Sequence, residues 1–456
     1  MNRSENHPSP SFSETIIAPA SAIGGGVAVI RVSGPLSADV FEKLCVAQGK
    51  ASITPRTAHL VSITEPHSGK LLDRAVALYF AAPASFTGED VLELHVHGGR
   101  AVVDSVMQAI LALDSSIRLA TGGEFTKRAY LNGKIDLTEA EAIADLVAAE
   151  TQAQAELALG QMSGNLRNLY EGWRYDLVRL LAHIEAAIDF VDEEDVPQSL
   201  MDETHGKISS LLASVNAHLG DQSLGERLRD GFVVAVIGAP NAGKSSLVNA
   251  LAKRDVAIVT PHAGTTRDVL EVPLNLGGYP VIVIDTAGLR ETDDEIEAEG
   301  IRRARARVAN ADCVVALFDG TKPQDQDTLQ HVNDDVLVVA TKGDLTHDAP
   351  AFSVPPVLSI STQTGLNLDA LIAQLTDKIQ SRIGTRNNDM PLLTRARHRE
   401  AVAEAQNHLD RALRNPQPEL LAEDIRLATR ALGRITGRVD VEDLLDVIFS
   451  EFCIGK

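Results

Sequence analysis

GAPNAGKSS, from Gly238 to Ser246, is the stretch of sequence that decides the fold of the middle of this chain. It fits the pattern G-x-x-x-x-G-K-[ST], in which glycines let backbone N–H groups surround a phosphate, the lysine reaches the β- and γ-phosphates, and the hydroxyl ligates Mg²⁺. The apolar run Phe232–Ile237 before it is typical of a buried strand, and Ser246–Lys253 after it has helical spacing. A strand, a glycine loop and a helix in this order predict a phosphate site at a helix N-terminus rather than a plain glycine turn.

Composition limits where the protein works and what it binds. The chain has 456 residues and a formal net charge of −21, which argues against a broad electrostatic footprint on nucleic acid. Its three cysteines, Cys45, Cys313 and Cys453, are far apart and lack metal-ligand spacing. Since there is no secretory leader and no apolar run close to the ~20 residues of a membrane span, the sequence predicts a cytoplasmic protein.

Four segments of the chain differ in pattern. The first is mixed α/β, the second is dominated by helix formers, the third carries the glycine loop, and the fourth is helical again. Because the two helical segments flank a self-sufficient domain, we expect them to pack together as one bundle. The predicted domains are 1–130, 131–227, 228–384 and 385–456. The predicted fold class is multidomain α/β plus all-α, with an N-terminal α/β domain, a helical bundle from two chain segments and an inserted Ras-like P-loop domain.

Short apolar runs in the first segment predict strands within Gly25–Gly34, Arg74–Ala81 and Glu89–Gly99. His95 and His97 fall on one face of the last of these strands. Metal binding by this pair stays open beside the simpler interpretation, which we favour, of a strand end followed by a glycine turn.

A strand-end motif downstream of the loop predicts the other side of the phosphate site. VIVIDTAG, Val281–Gly288, has the pattern of a buried strand that ends in Asp285. This aspartate is placed to hold Mg²⁺ through water, and the Gly288 N–H is placed to meet a γ-phosphate.

Two further motifs distinguish guanine from adenine. VLVVATKGD, Val336–Asp344, predicts a strand whose following Asp344 accepts hydrogen bonds from guanine N1–H and N2–H, with Lys342 along the base. After the next strand, Ser361 and Thr362 are placed to present backbone N–H groups to the guanine oxygen. Four such motifs in order resemble GTPases of the translation-factor class.

Two residues depart from the usual GTPase pattern. Thr341 stands where the guanine motif normally begins with Asn, and its hydroxyl is able to keep one hydrogen bond across the loop. Leu289 stands where a Gln orients the attacking water in Ras-like proteins, so hydrolysis needs another device. Glu297, in the acidic stretch after it, is either a carboxylate that reaches that water or part of an acidic surface helix.

The segment between the glycine loop and Val281 offers ligands for cations. Thr266 is the candidate that closes on Mg²⁺ and the γ-phosphate. Asn241, with oxygens from Thr260, His262 and Thr265, is placed to bind a monovalent cation, whose charge could replace that of an arginine finger.

Motifs along nearly the whole chain resemble the MnmE (TrmE) family of bacterial tRNA-modification GTPases. They are VIRVSG, FTGEDVLELHVHGG, GEFTKRAYLNGKIDLTEAEAIADL, GAPNAGKSSLVNAL, AGTTRDVLE, DTAGLRETDDEIEAEGI and the final FCIGK. An alternative is a ribosome-assembly GTPase of the Era or Der type, which shares the style of the nucleotide motifs. We favour the first interpretation because the flanks are acidic and helical and carry motifs that other P-loop GTPases lack.

The resemblance implies a set of functional residues. Carried onto this sequence, it implies folate contacts at Arg31, Glu89, Lys134 and Lys456, a hydrolytic role for Glu297, and a K⁺ site at Asn241. It also matches Cys453 to the family's terminal cysteine, which either serves the modification chemistry or is a buried inert thiol. The expected GTP contacts are Asn241, Ala242, Gly243, Lys244, Ser245, Ser246, Thr260, Pro261, His262, Ala263, Gly264, Thr265, Thr266, Asp285, Thr286, Ala287, Gly288, Lys342, Asp344 and Ser361.

The resemblance also implies an activity and partners. The family hydrolyses GTP, is stimulated by K⁺ through dimerisation of its GTPase domains, and uses Mg²⁺ and a 5,10-methylene- or 5-formyl-tetrahydrofolate. It forms a homodimer and a heterotetramer with MnmG, an FAD-containing protein that uses NADH. Together they install a 5-carboxymethylaminomethyl or aminomethyl group on the wobble uridine of certain tRNAs.

Overall fold

The computed structural model describes residues 12–47, 53–189, 198–220, 223–254, 256–258, 271–285, 311–345, 352–384, 390–415 and 417–439, with Leu445, Ile448, Phe449, Phe452 and Gly455. Its contacts divide the chain into two compact units. One takes residues from 1–144, 162–178 and 429–456, and the other from 145–161 and 179–428. None of the helices in the described ranges combines the length and the apolar character needed to span a lipid bilayer.

Seven strands among the described residues form the sheet of the first unit, in the order β3-β4-β5-β6-β2-β1-β7. Neighbours pair antiparallel except β1 and β7, which are parallel. The runs predicted as strands lie on β2, β5 and β6, so those three predictions are confirmed. The strands are β1 (Thr15–Pro19), β2 (Val27–Ser33), β3 (Cys45–Ala47), β4 (His59–Thr64), β5 (Leu71–Phe80), β6 (Val91–His97) and β7 (Ile117–Leu119).

Two helices, α1 (Ser37–Leu44) and α2 (Arg100–Leu111), cover one face of this sheet. Alternate residues of the central strands point toward them and form one apolar core. The opposite face leaves Val27, Leu60 and Val76 exposed, at 60%, 61% and 37% of their surface. One side of the sheet is therefore packed, whereas the other is covered at β1, where Ile16 and Ala18 pack with Phe125, and leaves apolar side chains exposed on β2, β4 and β5.

After α1 and α2, the first unit contains α3 (Glu124–Leu131) and the larger part of α4 (Leu137–Ala148), whose last residues belong to the second unit. A reciprocal cap starts α4: Asp136 Oδ1 accepts from the Glu139 N–H, and Glu139 Oε2 accepts from the Asp136 N–H, both at 2.9 Å. Two longer helices, α6 (Asn165–Asp189) and α13 (Pro418–Thr436), have residues in both units.

Six strands in the described part of the second unit form a mostly parallel sheet, in the order β13-β12-β11-β8-β10-β9. Of the pairs between these six strands, β9–β10 is antiparallel and the others are parallel. Apolar clusters lie on both faces, as in doubly wound α/β domains. The strands are β8 (Phe232–Gly238), β9 (Glu271–Leu276), β10 (Tyr279–Asp285), β11 (Cys313–Asp319), β12 (Val336–Thr341) and β13 (Leu358–Ser359).

Helices that precede this sheet in the sequence pack against a helix that follows it. Arg399 Nε lies 2.9 Å from Glu226 Oε1, and Gln406 Nε2 donates to Asn216 Oδ1 at 2.5 Å. The predicted helical bundle from two chain segments is thereby confirmed. The helices of this unit are α5 (Gln152–Met162), α7 (Gln198–Leu219), α8 (Leu224–Asp230), α9 (Lys244–Ala252), α10 (Gln326–Leu329), α11 (Leu368–Ile383) and α12 (Ala396–Arg414).

The predicted domain boundaries at residues 130, 227 and 384 stay predictions. The contact division gives two units rather than four. Leu224 and Leu392, which lie outside the predicted limits of the inserted domain, pack against the core of its sheet.

Candidate nucleotide-binding site

The glycine loop joins the central strand β8 to helix α9 and turns sharply at both ends. Gly238 has φ +155°, and a Cβ there would come within 2.5 Å of the Leu317 carbonyl oxygen. Gly243, the N-cap of α9, has φ +98°, a left-handed conformation that side chains rarely adopt. The loop therefore wraps around the N-terminus of α9, and the N-terminus of a helix favours an anion.

Lys244 begins α9 and is buried in the loop. Its Nζ donates to the carbonyl oxygens of Gly238 at 2.7 Å and Ala239 at 3.1 Å. These contacts hold the ammonium over the loop, where a β- or γ-phosphate would meet it.

The next residue, Ser245, reaches the end of strand β10. Its hydroxyl donates to Oδ2 of Asp285, a buried carboxylate at the last position of that strand. A hydroxyl and a carboxylate side by side are hard oxygen ligands of the kind that Mg²⁺ prefers. The pair fits the predicted magnesium site. Elsewhere in the described ranges, His, Cys, Asp and Glu do not form a group of three or more that could hold a metal.

A cavity of about 670 Å³ connects the phosphate loop to the predicted base-recognition motifs. Its volume is in the range of small-molecule and cofactor sites. Three stretches contribute its walls, and all of them were predicted from sequence. The residues are Gly238, Pro240, Asn241, Gly243, Lys244, Ser245 and Ser246, then Thr341, Lys342, Asp344 and Leu345, then Ser361, Thr362 and Gln363.

Thr341 connects the base motif to the phosphate loop. Its buried Oγ1 donates to the Ala242 carbonyl at 2.8 Å and lies 3.3 Å from the Phe318 carbonyl. The predicted hydrogen bond across the loop is present, so the hydroxyl does here what an Asn side chain is expected to do.

Lys342 and Asp344 line the base end of the cavity. Lys342 has φ +58° and donates from Nζ to Asp319 Oδ2 at 2.6 Å. Asp344 lies in the short 3₁₀ turn Gly343–Leu345 that follows β12. A carboxylate at this place is able to accept both N–H groups of a guanine edge.

Ser361 differs from its predicted role. Its backbone N–H donates to the Leu366 carbonyl at 3.1 Å, so this amide is already used within the loop. Its hydroxyl accepts from the N–H groups of Gln363 at 3.3 Å and Thr364 at 3.2 Å. Ser361 thus shapes the loop next to the cavity, and a backbone N–H from Thr362 to a guanine oxygen stays a prediction.

Several predicted site residues lie outside the described residues. These are Thr260, Pro261, His262, Ala263, Gly264, Thr265, Thr266, Thr286, Ala287, Gly288, Glu297, Cys453 and Lys456. Of the four predicted potassium ligands, Asn241 is described: it is exposed in the loop, with φ +65°.

The predicted folate residues of the first unit meet the loop at 81–90 between β5 and β6. Glu89 accepts from Ser33 Oγ at 2.7 Å and from Arg128 Nη1 at 3.1 Å. Lys134 Nζ donates to the Pro83 carbonyl at 2.9 Å.

Arg31 pairs with Glu93 on the neighbouring strand at 2.9 Å. Its guanidinium carbon also lies 5.7 Å from the centre of the Phe86 ring, which belongs to the same loop. Arg31, Glu89 and Lys134 are therefore brought to one loop, although each of them already has a protein partner.

The comparisons with known proteins cover nearly the whole chain. A family model described as the MnmE helical domain matches residues 137–453, and one described as the GTP-binding protein TrmE N-terminus matches residues 15–134. The tRNA modification GTPase MnmE of Paramagnetospirillum magneticum is 52% identical over 98% of this chain and 100% of its own length. That of Rhodospirillum rubrum is 52% identical over 97% of this chain and 99% of its own.

The chain belongs to the tRNA modification GTPase MnmE family.

Both flanks of the nucleotide-binding segment take part in the match to the MnmE family, which favours this assignment over the Era- or Der-type alternative. Among solved structures, Era of Aquifex aeolicus bound to GDP·AlF4⁻ is 24% identical, covering 41% of this chain and 69% of its own, with a TM-score of 0.25. A similarity that low carries no argument about function.

Two residues that hold predicted site residues of this MnmE family member were not predicted from the sequence. Arg128, only 1% exposed, pairs with Glu89 and with Glu124. Asp319 holds Lys342. The available signal for Arg128 was Glu124, an opposite charge four positions earlier on the same face of α3. For Asp319, the signal was its place at the end of the apolar run CVVALFD, which parallels Asp285 at the end of VIVID.

Proposed function

We propose that the chain hydrolyses GTP as one component of a system that modifies the wobble uridine of tRNA. The cavity that joins a phosphate-binding loop to a base-recognition aspartate carries this proposal. Membership of the MnmE family adds the tRNA context, because the relatives bear that activity in their names. More specifically, the proposed product is a 5-carboxymethylaminomethyl or aminomethyl group at uridine C5, formed in the cytoplasm.

Hydrolysis at this site needs charge neutralisation on the phosphates. Lys244 and the N-terminus of α9 supply two positive contributions, and Ser245 and Asp285 would hold Mg²⁺ together with Thr266. When bound, the ion offsets negative charge that develops on the β- and γ-phosphate oxygens.

We propose two further groups for hydrolysis, a bound cation and a carboxylate, because Leu289 stands where Ras-like proteins have a glutamine. Asn241, with oxygens of Thr260, His262 and Thr265, would bind K⁺ beside the phosphates as two GTPase domains associate. Glu297 would orient the attacking water. The exposed position of Asn241 on the loop supports the first of these roles.

The N-terminal unit would bind a tetrahydrofolate one-carbon carrier. Arg31, Lys134 and Lys456 would meet its glutamate carboxylates, and Glu89 would accept from pterin N–H groups. Glu89 lies on the loop at 81–90, and Arg31 and Lys134 both contact that loop, which supports this site. An exposed Phe86 ring on the same loop adds a flat apolar surface for a bicyclic ligand.

The open face of the N-terminal sheet supports a homodimer. Val27, Leu60 and Val76 expose apolar surface on three different strands there. An exposed apolar face of this kind is typical of an interaction surface, and here we assign it to a second copy of the chain. The remaining proposed partners are tRNA and an FAD-containing MnmG, in a heterotetramer.

Cys453 is the thiol we propose for any cysteine chemistry of the system. Burial raises the pKa of Cys45 to about 12, and burial is also the main reason that the pKa of Cys313 is raised. Both are therefore poor nucleophiles near neutral pH. Of the three cysteines of the chain, the third remains as the candidate.

Titration calorimetry with 5-formyltetrahydrofolate tests the N-terminal part of the proposal. We expect saturable binding to the full chain that is weakened by Arg31→Ala. Arg74→Ala is the matched control, since Arg74 is an exposed arginine on the same sheet. Absence of heat with the unaltered chain, or equal loss with both variants, would contradict the assigned folate site.

A further inference from the structure

Asp319 ends strand β11 beside the base end of the cavity without lining it. In the parallel register it lies opposite Thr341, the residue before Lys342. The backbone joins the two places as well, because the Gly320 N–H donates to the Thr341 carbonyl at 2.9 Å. The end of β11 and the start of the base motif are therefore held together.

Each oxygen of the Asp319 carboxylate has a separate task. Oδ1 accepts from the Thr321 hydroxyl at 2.7 Å and from the Thr321 N–H at 3.0 Å, which closes a local turn. Oδ2 accepts from Lys342 Nζ at 2.6 Å. Partial burial opposes ionisation, but the hydrogen bonds from Lys342 and Thr321 outweigh it, and the pKa of Asp319 is lowered. The group is a carboxylate at neutral pH.

Lys342 is restrained at both ends of its side chain. Its backbone has the left-handed φ of +58°, and its ammonium is fixed by Asp319, which is 10% exposed. The side chain itself lines the cavity and is 39% exposed. A lysine with free rotamers would have to be ordered when a nucleotide binds, whereas this one is ordered beforehand.

We propose that Asp319 is a positioning residue for nucleotide binding, which anchors the Lys342 ammonium so that the lysine stem lies ready along the plane of the base. The inference rests on the proposed GTP site. Contact along a base plane does not read the base edge, so the anchor should act on guanine and hypoxanthine nucleotides alike. Discrimination between them belongs to Asp344.

A double-mutant cycle with Asp319→Asn and Lys342→Met tests this role in the full chain. Asn keeps an acceptor for the turn at Thr321 but removes the negative charge that holds Lys342. We expect the dissociation constants of GDP and inosine diphosphate to rise by the same factor, about 3- to 10-fold, as one side chain loses its prior order. In the Lys342→Met background, Asp319→Asn should have no further effect.

Two matched measurements separate positioning from a purely structural role. Thr321→Ala loosens the same turn without touching the lysine contact, so it should leave both dissociation constants near those of the unaltered chain. Lys342→Met alone should weaken GDP binding at least as much as Asp319→Asn. An equal loss from Thr321→Ala, a full Asp319→Asn effect in the Lys342→Met background, or unchanged binding by either single variant would overturn the proposal.

The same titrations test the nucleotide site and the positioning role of Asp319 separately. If the unaltered chain does not bind GDP, the proposed function itself fails. If it binds GDP and the cycle gives no coupling between Asp319 and Lys342, only the positioning role fails.

Discussion

At the scale of single residues, Thr341 explains how a departure from the guanine motif is accommodated. Its hydroxyl donates to the Ala242 carbonyl at 2.8 Å, so it ties the base loop to the phosphate loop. The existence of that bond could be predicted from the residue type. The Lys342–Asp319 contact could not, since its partners are 23 positions apart in sequence and meet only through the register of β11 and β12.

Replacing Thr341 by Val tests this connection. The change keeps the volume but leaves a buried carbonyl without its donor, which should cost about 1–3 kcal/mol of unfolding free energy and weaken GDP binding. Thr376→Val is the control, because the Thr376 hydroxyl bonds to the Ile372 carbonyl within helix α11 and its loss should be nearly neutral. Chemical unfolding and GDP titration would measure both. Equal behaviour of the two variants would contradict the account.

At the scale of elements, strand-end motifs were predictable and strand pairing was not. The runs on β8, β10, β12 and β13 are short, apolar and followed by polar motif residues, which is the pattern of parallel strands buried on both faces. Strand β9 lacks that pattern because Pro273 interrupts it. Proline is tolerated there because β9 is an edge strand of the sheet.

One carboxylate links three elements on the two flanks of the nucleotide-binding segment. Asp145, near the end of α4, accepts from Arg229 Nε at 3.2 Å and from Arg395 Nη2 at 2.7 Å. Arg229 lies at the end of α8, and Arg395 is the N-cap of α12. The link crosses more than two hundred residues, which is why no local pattern in the sequence announces it.

Asp145→Ala should therefore destabilise this unit. Two half-buried guanidinium groups would lose the carboxylate between them, at a cost of about 2 kcal/mol. Asp369→Ala, which breaks an ion pair with Arg254 at a side chain that is 87% exposed, should cost less than about 1 kcal/mol. The shift in the midpoint of urea unfolding would compare them, and a larger shift for Asp369→Ala would refute the assigned importance of Asp145.

At the scale of the whole molecule, the fold class could be predicted because each segment carries its own periodicity. The α/β flank, the bundle from two segments and the inserted nucleotide-binding sheet all follow from local patterns. By contrast, α5 contacts the nucleotide-binding sheet through residues that are far apart in the sequence. There, the Ala153 N–H donates to the Gly278 carbonyl at 3.1 Å, beside the first residue of β10.

The proposed dependence on K⁺ concerns the assembled molecule, because it requires two GTPase domains to associate. Since Leu289 is unable to orient water, we expect GTP hydrolysis to be roughly tenfold or more faster in K⁺ than in Na⁺. Glu297→Ala should bind GTP normally and lose hydrolysis, whereas Glu299→Ala, in the same acidic stretch, should keep it. Phosphate release measured in matched KCl and NaCl buffers gives the comparison. Equal rates in the two salts would remove the argument for K⁺, and normal turnover by Glu297→Ala would remove the role of that carboxylate.

The most direct test of the central claim, a guanine-specific hydrolytic site, is the nucleotide preference of Asp344→Asn. A carboxylate accepts from guanine N1–H and N2–H, whereas an amide offers one acceptor and one donor, the pattern that matches the N1–H and C2 carbonyl of xanthine. We predict that kcat/KM for GTP falls roughly a hundredfold or more while hydrolysis of xanthosine triphosphate appears, with Asp369→Asn as an unaffected control. Undiminished hydrolysis of GTP by Asp344→Asn would contradict the account.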